Sequence, residues 1–426
     1  MSPSMHVWST DLHAAPIGCQ IDMFAGLDVE VMAKIDFPNC RFFRDSKGNN
    51  LCSKDLDGLR NNDWRGFSLD PDPETTTKRL HDHYAADESF RKTDVIFCSH
   101  PAANCEIYLP TNKSIIIYST TRLEFGRDDE HVWWRKKYMG VDKTERWQKW
   151  VSNLKQIASS GNNFVLANNL YDASYIEYFT GIRAGYIPSW CGGTLQQLAQ
   201  IRYTPSREEF VLTPYRLNLM YDAEAIPLYG WPEPGNTSHT DDLSHAIFDD
   251  LRQVSGNHLK ILTISEAFGK NKKFEDIGDF RRFKGSIFIP YQSSTMFFFE
   301  LYRACVPILA PSMSLLTKWV ESHRVLWEVS YGDPPKLSEK ASTMPSPNRF
   351  DAVSRRHWMP HYDIYNAEVF PHILHFDSWQ EAATIAKNIN MKTVSDAMCA
   401  HNSLEYLRIE ARWKEVFDTI RSHKSY

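Results

Sequence analysis

The 426-residue sequence has no long apolar run, no block of basic residues and no Cys-x-x-Cys pair. Without about 20 consecutive apolar residues, no segment is predicted to cross a membrane. Lysine and arginine number 48 against 53 aspartates and glutamates, and the resulting charge of −5 argues against a protein whose main task is to bind a nucleic acid backbone. Residues 1–16 lack the basic and apolar regions of a signal peptide, so a cytoplasmic location is expected.

The eight cysteines are scattered, and several lie inside apolar segments, at positions 19, 40, 52, 98, 105, 191, 305 and 399. In a cytoplasmic protein this pattern predicts reduced cysteines in the core, and the spacing does not suggest a zinc site. The Asn-x-Ser/Thr matches at Asn112 and Asn236 are then expected to be chance matches, because cytoplasmic proteins do not receive N-linked glycans.

The length and the order of apolar segments predict an α/β protein with two domains of about 200 residues each. Residues 1–190 are predicted to form the first domain and residues 191–395 the second. Residues 396–426 carry apolar positions at helical spacing and are predicted to be a helix that returns to the first domain. The segment 188–205, with its Pro, Gly and Gln residues, is the predicted hinge.

Polar residues follow four predicted strands of the first domain, at the point where each strand ends. They are His13, His100, Arg122 and Asn168. The carboxyl ends of parallel strands meet at one edge of a sheet, where ligands bind in open α/β folds. These side chains are therefore predicted to face one cleft.

Residues 285–312 read as strand, polar turn, apolar helix and strand, which is one βαβ unit. Ser293, Ser294 and Thr295 precede the helix, where they can cap it or help it to bind a phosphate. Glu300 lies within the apolar helix, and a carboxylate in such surroundings needs a partner. That partner is either a buried arginine or a ligand.

The spacing of Glu300 and Pro307 resembles a donor-binding motif of nucleotide-sugar-dependent glycosyltransferases with the GT-B fold, especially the retaining group typified by sucrose and trehalose-phosphate synthases. The resemblance implies two Rossmann-like domains that face a central cleft, with a C-terminal helix packing back toward the first. In that family the helix glutamate holds the ribose hydroxyls of the donor, a role that falls on Glu300. The chain departs from the motif at Gln292, where the family has a carboxylate, and at Cys305, where it has glycine.

The resemblance implies transfer of a sugar from a nucleotide diphosphate sugar, with UDP or GDP as the nucleotide, to a hydroxyl of a glycan or small acceptor. It implies no cofactor and no metal. Positive residues are expected at the donor diphosphate, with Arg216 in one position and Lys273, or its neighbours Lys270 and Lys272, in the other. The remaining donor-binding candidates are the residues of the polar turn, Tyr291, Gln292, Ser293, Ser294 and Thr295.

A general base for the acceptor hydroxyl is expected in the first domain. The candidates are Asp11 and His13 after the first strand, and His100 after a later one; each can also be an ordinary turn residue. Two other functions remain open, a nucleotide-sugar epimerase of the same fold and a non-catalytic nucleotide-sugar-binding protein. The departures at Gln292 and Cys305 keep the second of these open.

Overall fold

The structure is a computed structural model, and it describes residues 4–11, 13–35, 40, 43–45, 48–53, 70, 72–100, 102–120, 123, 143–213, 259–269, 277–323, 326, 343–347 and 351–424. Most of the loop-rich segment 36–75 lies outside these residues, as does the helix expected at 243–254, whereas more than half of the loop-rich segment 331–365 is described. Within the described part of the chain, no helix combines the length and the apolar character needed to cross a bilayer.

The described residues form two parallel sheets. The strands of the first are β1 (Met5–Ser9), β2 (Val29–Ala33), β3 (Val95–Cys98), β4 (Ser114–Ser119), β5 (Phe164–Ala167) and β6 (Gly185–Tyr186). They lie in the order β2-β1-β3-β4-β5-β6, and every pair is parallel. Every residue of β3 and β4 is buried, as expected for central strands of a parallel sheet whose sequences are nearly continuous apolar runs.

Helices connect these strands and cover the sheet. They are α1 (Ala14–Gly18), α2 (Ile21–Gly26), α3 (Pro73–Tyr84), α4 (Glu88–Lys92), α5 (Lys143–Ser159) and α6 (Leu170–Thr180). The last of them is capped at its start by Asn169, whose side chain accepts a hydrogen bond from the Asp172 amide. Gly181, with a positive φ of 76°, caps its end. An asparagine start and a glycine end are the usual caps of a helix.

The second sheet contains β7 (Phe210–Thr213), β8 (Ile261–Thr263), β9 (Gly285–Phe288), β10 (Ile308–Pro311) and β11 (Leu374–Phe376), in the order β11-β10-β9-β7-β8. Its pairs are also parallel. The accompanying helices are α7 (Leu195–Gln200), α8 (Ile264–Phe268), α9 (Met296–Arg303), α10 (Met313–His323), α11 (Ala352–Trp358), α12 (Trp379–Asn388) and α13 (Met391–Lys424).

The two sheets share one winding order. In each sheet the first strand lies between the second and the third, so β1 separates β2 from β3 and β7 separates β8 from β9. The chain reverses direction across the sheet at these strands, and the crevice at such a switch point is the usual ligand site of an open α/β sheet. The predicted architecture of two Rossmann-like α/β units is confirmed.

The C-terminal helix α13 packs against helices of both sheets. Near its start, the Asn402 side chain accepts a hydrogen bond from Arg303 of α9 at 2.7 Å. Farther along, the Trp413 ring packs edge-on against Phe24 of α2, with 4.9 Å between the ring centroids. The predicted return of this helix to the first unit is therefore confirmed. The domain limits at 190/191 and 395/396 stay predictions.

All eight cysteines are paired in disulfides, so the prediction of reduced cysteines is wrong. The pairs are Cys19–Cys191, Cys40–Cys52, Cys98–Cys105 and Cys305–Cys399, with Cα–Cα separations between 4.3 and 5.7 Å. Two of the pairs join residues 172 and 94 positions apart in sequence. Only the folded chain brings such residues together, which is why their scatter along the sequence concealed the pairing.

The predicted hinge is anchored at its start. Trp190 is fully buried, and the Arg303 guanidinium lies over its ring at 4.8 Å from the centroid. The next residue, Cys191, is bonded to Cys19 at the end of α1. The Trp190 ring also packs on Tyr406 of α13, at 5.2 Å between centroids. The segment that enters the second unit is thus held by α1, α9 and α13 together.

Candidate active site

The first candidate site lies at the switch point between β1 and β3. His13 follows β1 and is the residue before α1, and His100 follows β3. Their rings pack edge to face, with 5.7 Å between the centroids, and both side chains are partly exposed. The structure therefore brings together two histidines that the sequence placed on separate loops.

Asp11 joins the same two loops from beneath. Its carboxylate accepts hydrogen bonds from the backbone amides of Ser99 at 3.2 Å and His100 at 3.3 Å, and from the Ser99 hydroxyl. Burial raises the pKa of the Asp11 carboxyl to about 6, although the hydrogen bonds from Ser99 and His100 oppose the shift. Asp11 has no exposed surface, so its carboxylate acts on the site through the loops it joins.

The loop after β1 is also fixed from its other side. The hydroxyls of Thr10 and Tyr108 share a hydrogen bond, and the Asn104 amide donates to the Thr10 carbonyl at 3.2 Å. Tyr108 and Asn104 belong to the 3-10 segment Ala102–Thr111, which is buried over most of its length. This segment holds the backbone immediately before Asp11.

A disulfide closes the loop that carries His100. It joins Cys98, the last residue of β3, to Cys105, seven positions later. A short covalent loop restricts the backbone on both sides of the histidine, so the position of His100 depends on the disulfide as well as on Asp11.

The second candidate site follows β9. Residues 291–295 form the polar turn, and Thr295 caps α9 by accepting the Phe298 amide at 3.3 Å. Tyr291 and Gln292 are partly exposed, whereas Ser293, Ser294 and Thr295 are buried. The predicted cap is confirmed; a phosphate at the same helix terminus stays a prediction.

Glu300 lies on α9 with a partly exposed side chain. Among the described residues, none forms a hydrogen bond or an ion pair with its carboxylate. Arg303, the buried arginine of the same helix, instead bonds Asn402 and stacks on Trp190. Desolvation raises the pKa of the Glu300 carboxyl to about 7. The Glu300 carboxylate is thus desolvated without a compensating protein partner in the described part of the chain.

The carboxyl edges of the two sheets come into contact near Met296. The Asn168 amide, just after β5, lies 3.6 Å from the sulfur of Met296, the first residue of α9, and the Ser189 hydroxyl lies 3.8 Å from the same sulfur. Asn168 is buried and also donates to Ser189. The polar edge of the first sheet therefore faces the start of the helix that carries Glu300.

Asp363 is a site residue that the sequence reasoning missed. It lines a narrow crevice together with residues 292–295, and its backbone amide donates to the Ser293 carbonyl at 3.4 Å. Burial raises the pKa of its carboxyl well above the usual range, although the Ser294 hydroxyl and the Arg303 charge oppose the shift. No motif marks this aspartate, which falls in a segment that looked like an irregular loop.

The residues predicted at the donor diphosphate, Arg216 and Lys273 with its neighbours Lys270 and Lys272, lie outside the described residues. Their place at a diphosphate therefore stays a prediction. Arg122, which was predicted to face the cleft, also lies outside the described residues. The part of the chain that the structure describes contains no group of three or more His, Cys, Asp or Glu side chains arranged to hold a metal ion. Independence from a metal likewise stays a prediction.

No protein-family model matches the chain, and no curated protein matches it. Among solved structures, the glycotransferase of kitacinnamycin aligns over 97% of this chain and 98% of its own, with 9% identity and a TM-score of 0.41. A UDP-glucosyltransferase from Polygonum tinctorium, capable of glucosylating indoxyl and solved in complex with 3,4-dichloroaniline, aligns over 98% and 99%, with 9% identity and a TM-score of 0.38. Neither likeness is strong enough to assign an activity.

Proposed function

We propose that this protein is a glycosyltransferase that moves a sugar from a nucleotide diphosphate sugar to an acceptor hydroxyl. The observation that carries the proposal is the placement of two complementary groups at facing sheet edges. A histidine pair lies at the β1/β3 switch point, and a capped helix follows β9; the carboxylate of Glu300 on this helix has no partner among the described residues. The contact between Asn168 and Met296 joins the two edges.

The donor binds on the second sheet in this proposal. The start of α9 offers a positive dipole end to the diphosphate, and the hydroxyls of the polar turn add hydrogen-bond donors. Glu300 accepts hydrogen bonds from the two ribose hydroxyls, which gives its carboxylate the partner that the described residues do not supply. The resemblance in the spacing of Glu300 and Pro307 supports the same role.

The acceptor binds on the first sheet. His13 or His100 removes the proton of the acceptor hydroxyl as its oxygen attacks the anomeric carbon. The new bond forms between that oxygen and the anomeric carbon, and the bond from the carbon to the diphosphate breaks. Asp11 is a positioning residue that holds the loop of His100. Direct attack aided by a base, with an amide at Gln292 where the retaining family has a carboxylate, favours inversion of the anomeric configuration.

The donor pocket must widen when it binds a nucleotide. The crevice lined by residues 292–295 and Asp363 has no room for a nucleotide, whereas ligand pockets usually measure roughly 300 to 1,000 Å³. Movement of the polar turn is the smallest change that creates the space, because its first residues are already partly exposed. A nucleotide is therefore expected to order or shift residues 291–295.

The test is a thermal-shift screen of the purified chain against UDP, GDP and ADP and their sugars. A ligand that binds only the folded protein increases the free energy of unfolding by about 2.7 kcal/mol at a hundredfold excess over Kd. This stabilisation raises the melting temperature. We expect one nucleotide base to stand out, and we expect slow hydrolysis of its sugar. Formation of a second sugar epimer without an acceptor would instead identify an epimerase. Absence of any binding or turnover would overturn the proposal.

A further inference from the structure

We propose that this chain folds in an oxidising compartment and carries an N-linked oligosaccharide on Asn112. The proposal is independent of the glycosyltransferase function, because it rests on the cysteines and on one exposed turn far from the candidate site. Disulfides and N-linked glycans are both typical of secreted proteins.

The first support is the complete pairing of the cysteines. All eight form disulfides, and two of these join parts of the chain 172 and 94 residues apart. Disulfides persist in oxidising compartments and are rare in proteins of the reducing cytosol. The expectation of reduced cysteines went together with the expected cytoplasmic location, and the complete pairing contradicts it.

The second support is the geometry of Asn112. It belongs to the Asn112-Lys113-Ser114 acceptor sequence for N-linked glycans. Its side chain is exposed, and its φ of 55° places it in the left-handed region at the turn between the 3-10 segment and β4. Asparagine tolerates this conformation better than most residues. The turn therefore projects the amide from the surface, where an oligosaccharide can extend into solvent.

The position of Asn112 leaves the candidate site clear. β4 begins at Ser114, so Asn112 lies at the amino edge of the first sheet. Thr120 follows the other end of β4 and donates to the carbonyl of Ser99, which belongs to the site. The eight residue-to-residue steps from Asn112 to Thr120 span about 25 Å at the rise of a parallel strand. A glycan on Asn112 would not block the cleft between the sheets.

The chemistry requires two co-reactants. Each disulfide forms as two thiols lose two protons and two electrons, and a dithiol–disulfide oxidant accepts the electrons. The glycan forms as the Asn112 amide nitrogen bonds to the anomeric carbon of a lipid diphosphate oligosaccharide. The bond from that carbon to the diphosphate breaks, and the amide loses one proton. This transfer acts on the chain as it folds, so the burial of Ser114 in the finished sheet does not prevent it.

The first experiment examines the native protein from its source. Cells are lysed in denaturant with a thiol-alkylating reagent, and the protein is then treated with a peptide N-glycosidase in ¹⁸O-labelled water. We expect no cysteine to be alkylated before reduction and all eight to be alkylated after it. We also expect Asn112 to be converted to ¹⁸O-labelled aspartate. Alkylation of the cysteines without reduction, or an unmodified Asn112, would overturn the proposal.

The second experiment separates the glycan from the turn. The full chain is directed into the secretory route of a eukaryotic host, with Asn112→Gln and Asn112→Gly compared. Glycine keeps the positive φ, so it protects the fold if glutamine disturbs the turn. Both variants should lose one glycan, as should Ser114→Ala, whereas Ser114→Thr should keep it. Asn236→Gln, at the other acceptor sequence, should leave the Asn112 glycan in place. A glycan that survives Asn112→Gly would contradict the assignment.

Discussion

The buried carboxylate of Asp11 accepts both the backbone amide and the hydroxyl of Ser99, and it thereby binds the loop after β1 to the loop after β3. The two loops carry His13 and His100, whose rings lie 5.7 Å apart between centroids. The histidine pair therefore depends on a hydrogen-bonded support beneath it. This arrangement follows from the strand order, since β1 and β3 are neighbours only where the winding reverses.

Removing that support should lower turnover more than affinity. In Asp11→Asn the side chain keeps its shape, but one carboxylate oxygen becomes an NH₂ group that cannot accept a hydrogen bond from Ser99. We expect kcat to fall about 100-fold, the typical cost of a misplaced catalytic group, with KM for the donor changed less than threefold. Steady-state kinetics check this, and Ser9→Ala, which removes only the weaker hydroxyl contact at 3.3 Å, is the matched control. Equal loss in both variants would contradict the positioning role.

Loss of the general base should remove most of the transfer activity. We expect His13→Ala or His100→Ala to lower kcat by about 10²- to 10⁴-fold, the range for general base catalysis. The variant of the base should also lose the acidic limb of the pH–rate profile, whereas the other variant should keep it. The exposed residue His81, in the last turn of α3, provides the control as His81→Ala. Full activity in both site variants would exclude a base at this switch point.

Glu300 should make stability depend on pH in one direction. Its folded pKa of about 7 is above the ordinary value of 4.5, so the folded state holds the proton more tightly than the unfolded chain does. Its contribution to stability is therefore present below pH 4.5 and is lost as the pH rises through 7. Glu300→Gln, which stays neutral, should raise the melting temperature by a few degrees at pH 8 and leave it unchanged at pH 4.5.

Thermal denaturation at both pH values measures this difference without any ligand. Glu266→Gln is the control, because Glu266 is an exposed carboxylate of a different helix, α8. An equal change at both pH values for Glu300→Gln would show that the carboxylate is not the titrating group.

Two of the disulfides should differ in their effect, one on the position of the His100 loop and the other on overall stability. Replacing Cys98 and Cys105 by alanine opens a loop of seven residues, which costs about 2 kcal/mol by chain entropy, but it frees the loop of His100 and should lower kcat. Replacing Cys305 and Cys399 removes a link across 94 residues and should cost about 5 kcal/mol with little change in kcat. Denaturant unfolding and steady-state kinetics on both double variants measure the split. Reversed effects would show that His100 does not depend on its disulfide.

The central strands and helix α9 could be predicted because the apolar pattern, the turns and the helix cap in their sequences all indicate the same element. The apolar run at 115–118 forms the centre of the fully buried β4, and the Thr295 cap precedes a helix that is apolar except at Glu300 and Arg303. Local pattern decides such elements, since a continuous apolar run between polar turns fits a central strand and little else.

Features set by distant parts of the chain were not predictable. The chain between β1 and β2 forms two short helices, α1 and α2, and the break between them lies at Cys19, which bonds Cys191, 172 residues away in sequence. The long helix begins at Met391 rather than at residue 396, and α11 forms inside the loop-rich segment 331–365. Asp363 reaches the polar turn only through tertiary packing. Each depends on contacts that no local pattern encodes.

Donor recognition is expected to depend on binding of the ribose of the nucleotide sugar by Glu300. The most direct measurement is a calorimetric cycle in which the wild type and Glu300→Ala bind the preferred nucleotide and its 2′,3′-dideoxy analogue, which lacks the ribose hydroxyls. Because a hydrogen bond to a charged group contributes about 1.5 to 3 kcal/mol, the analogue should bind the wild type at least tenfold more weakly. Glu300→Ala should bind both ligands with the same weakened affinity, so that the two changes are not additive. The same ratio between the ligands in both proteins, or no binding of any nucleotide, would contradict the account.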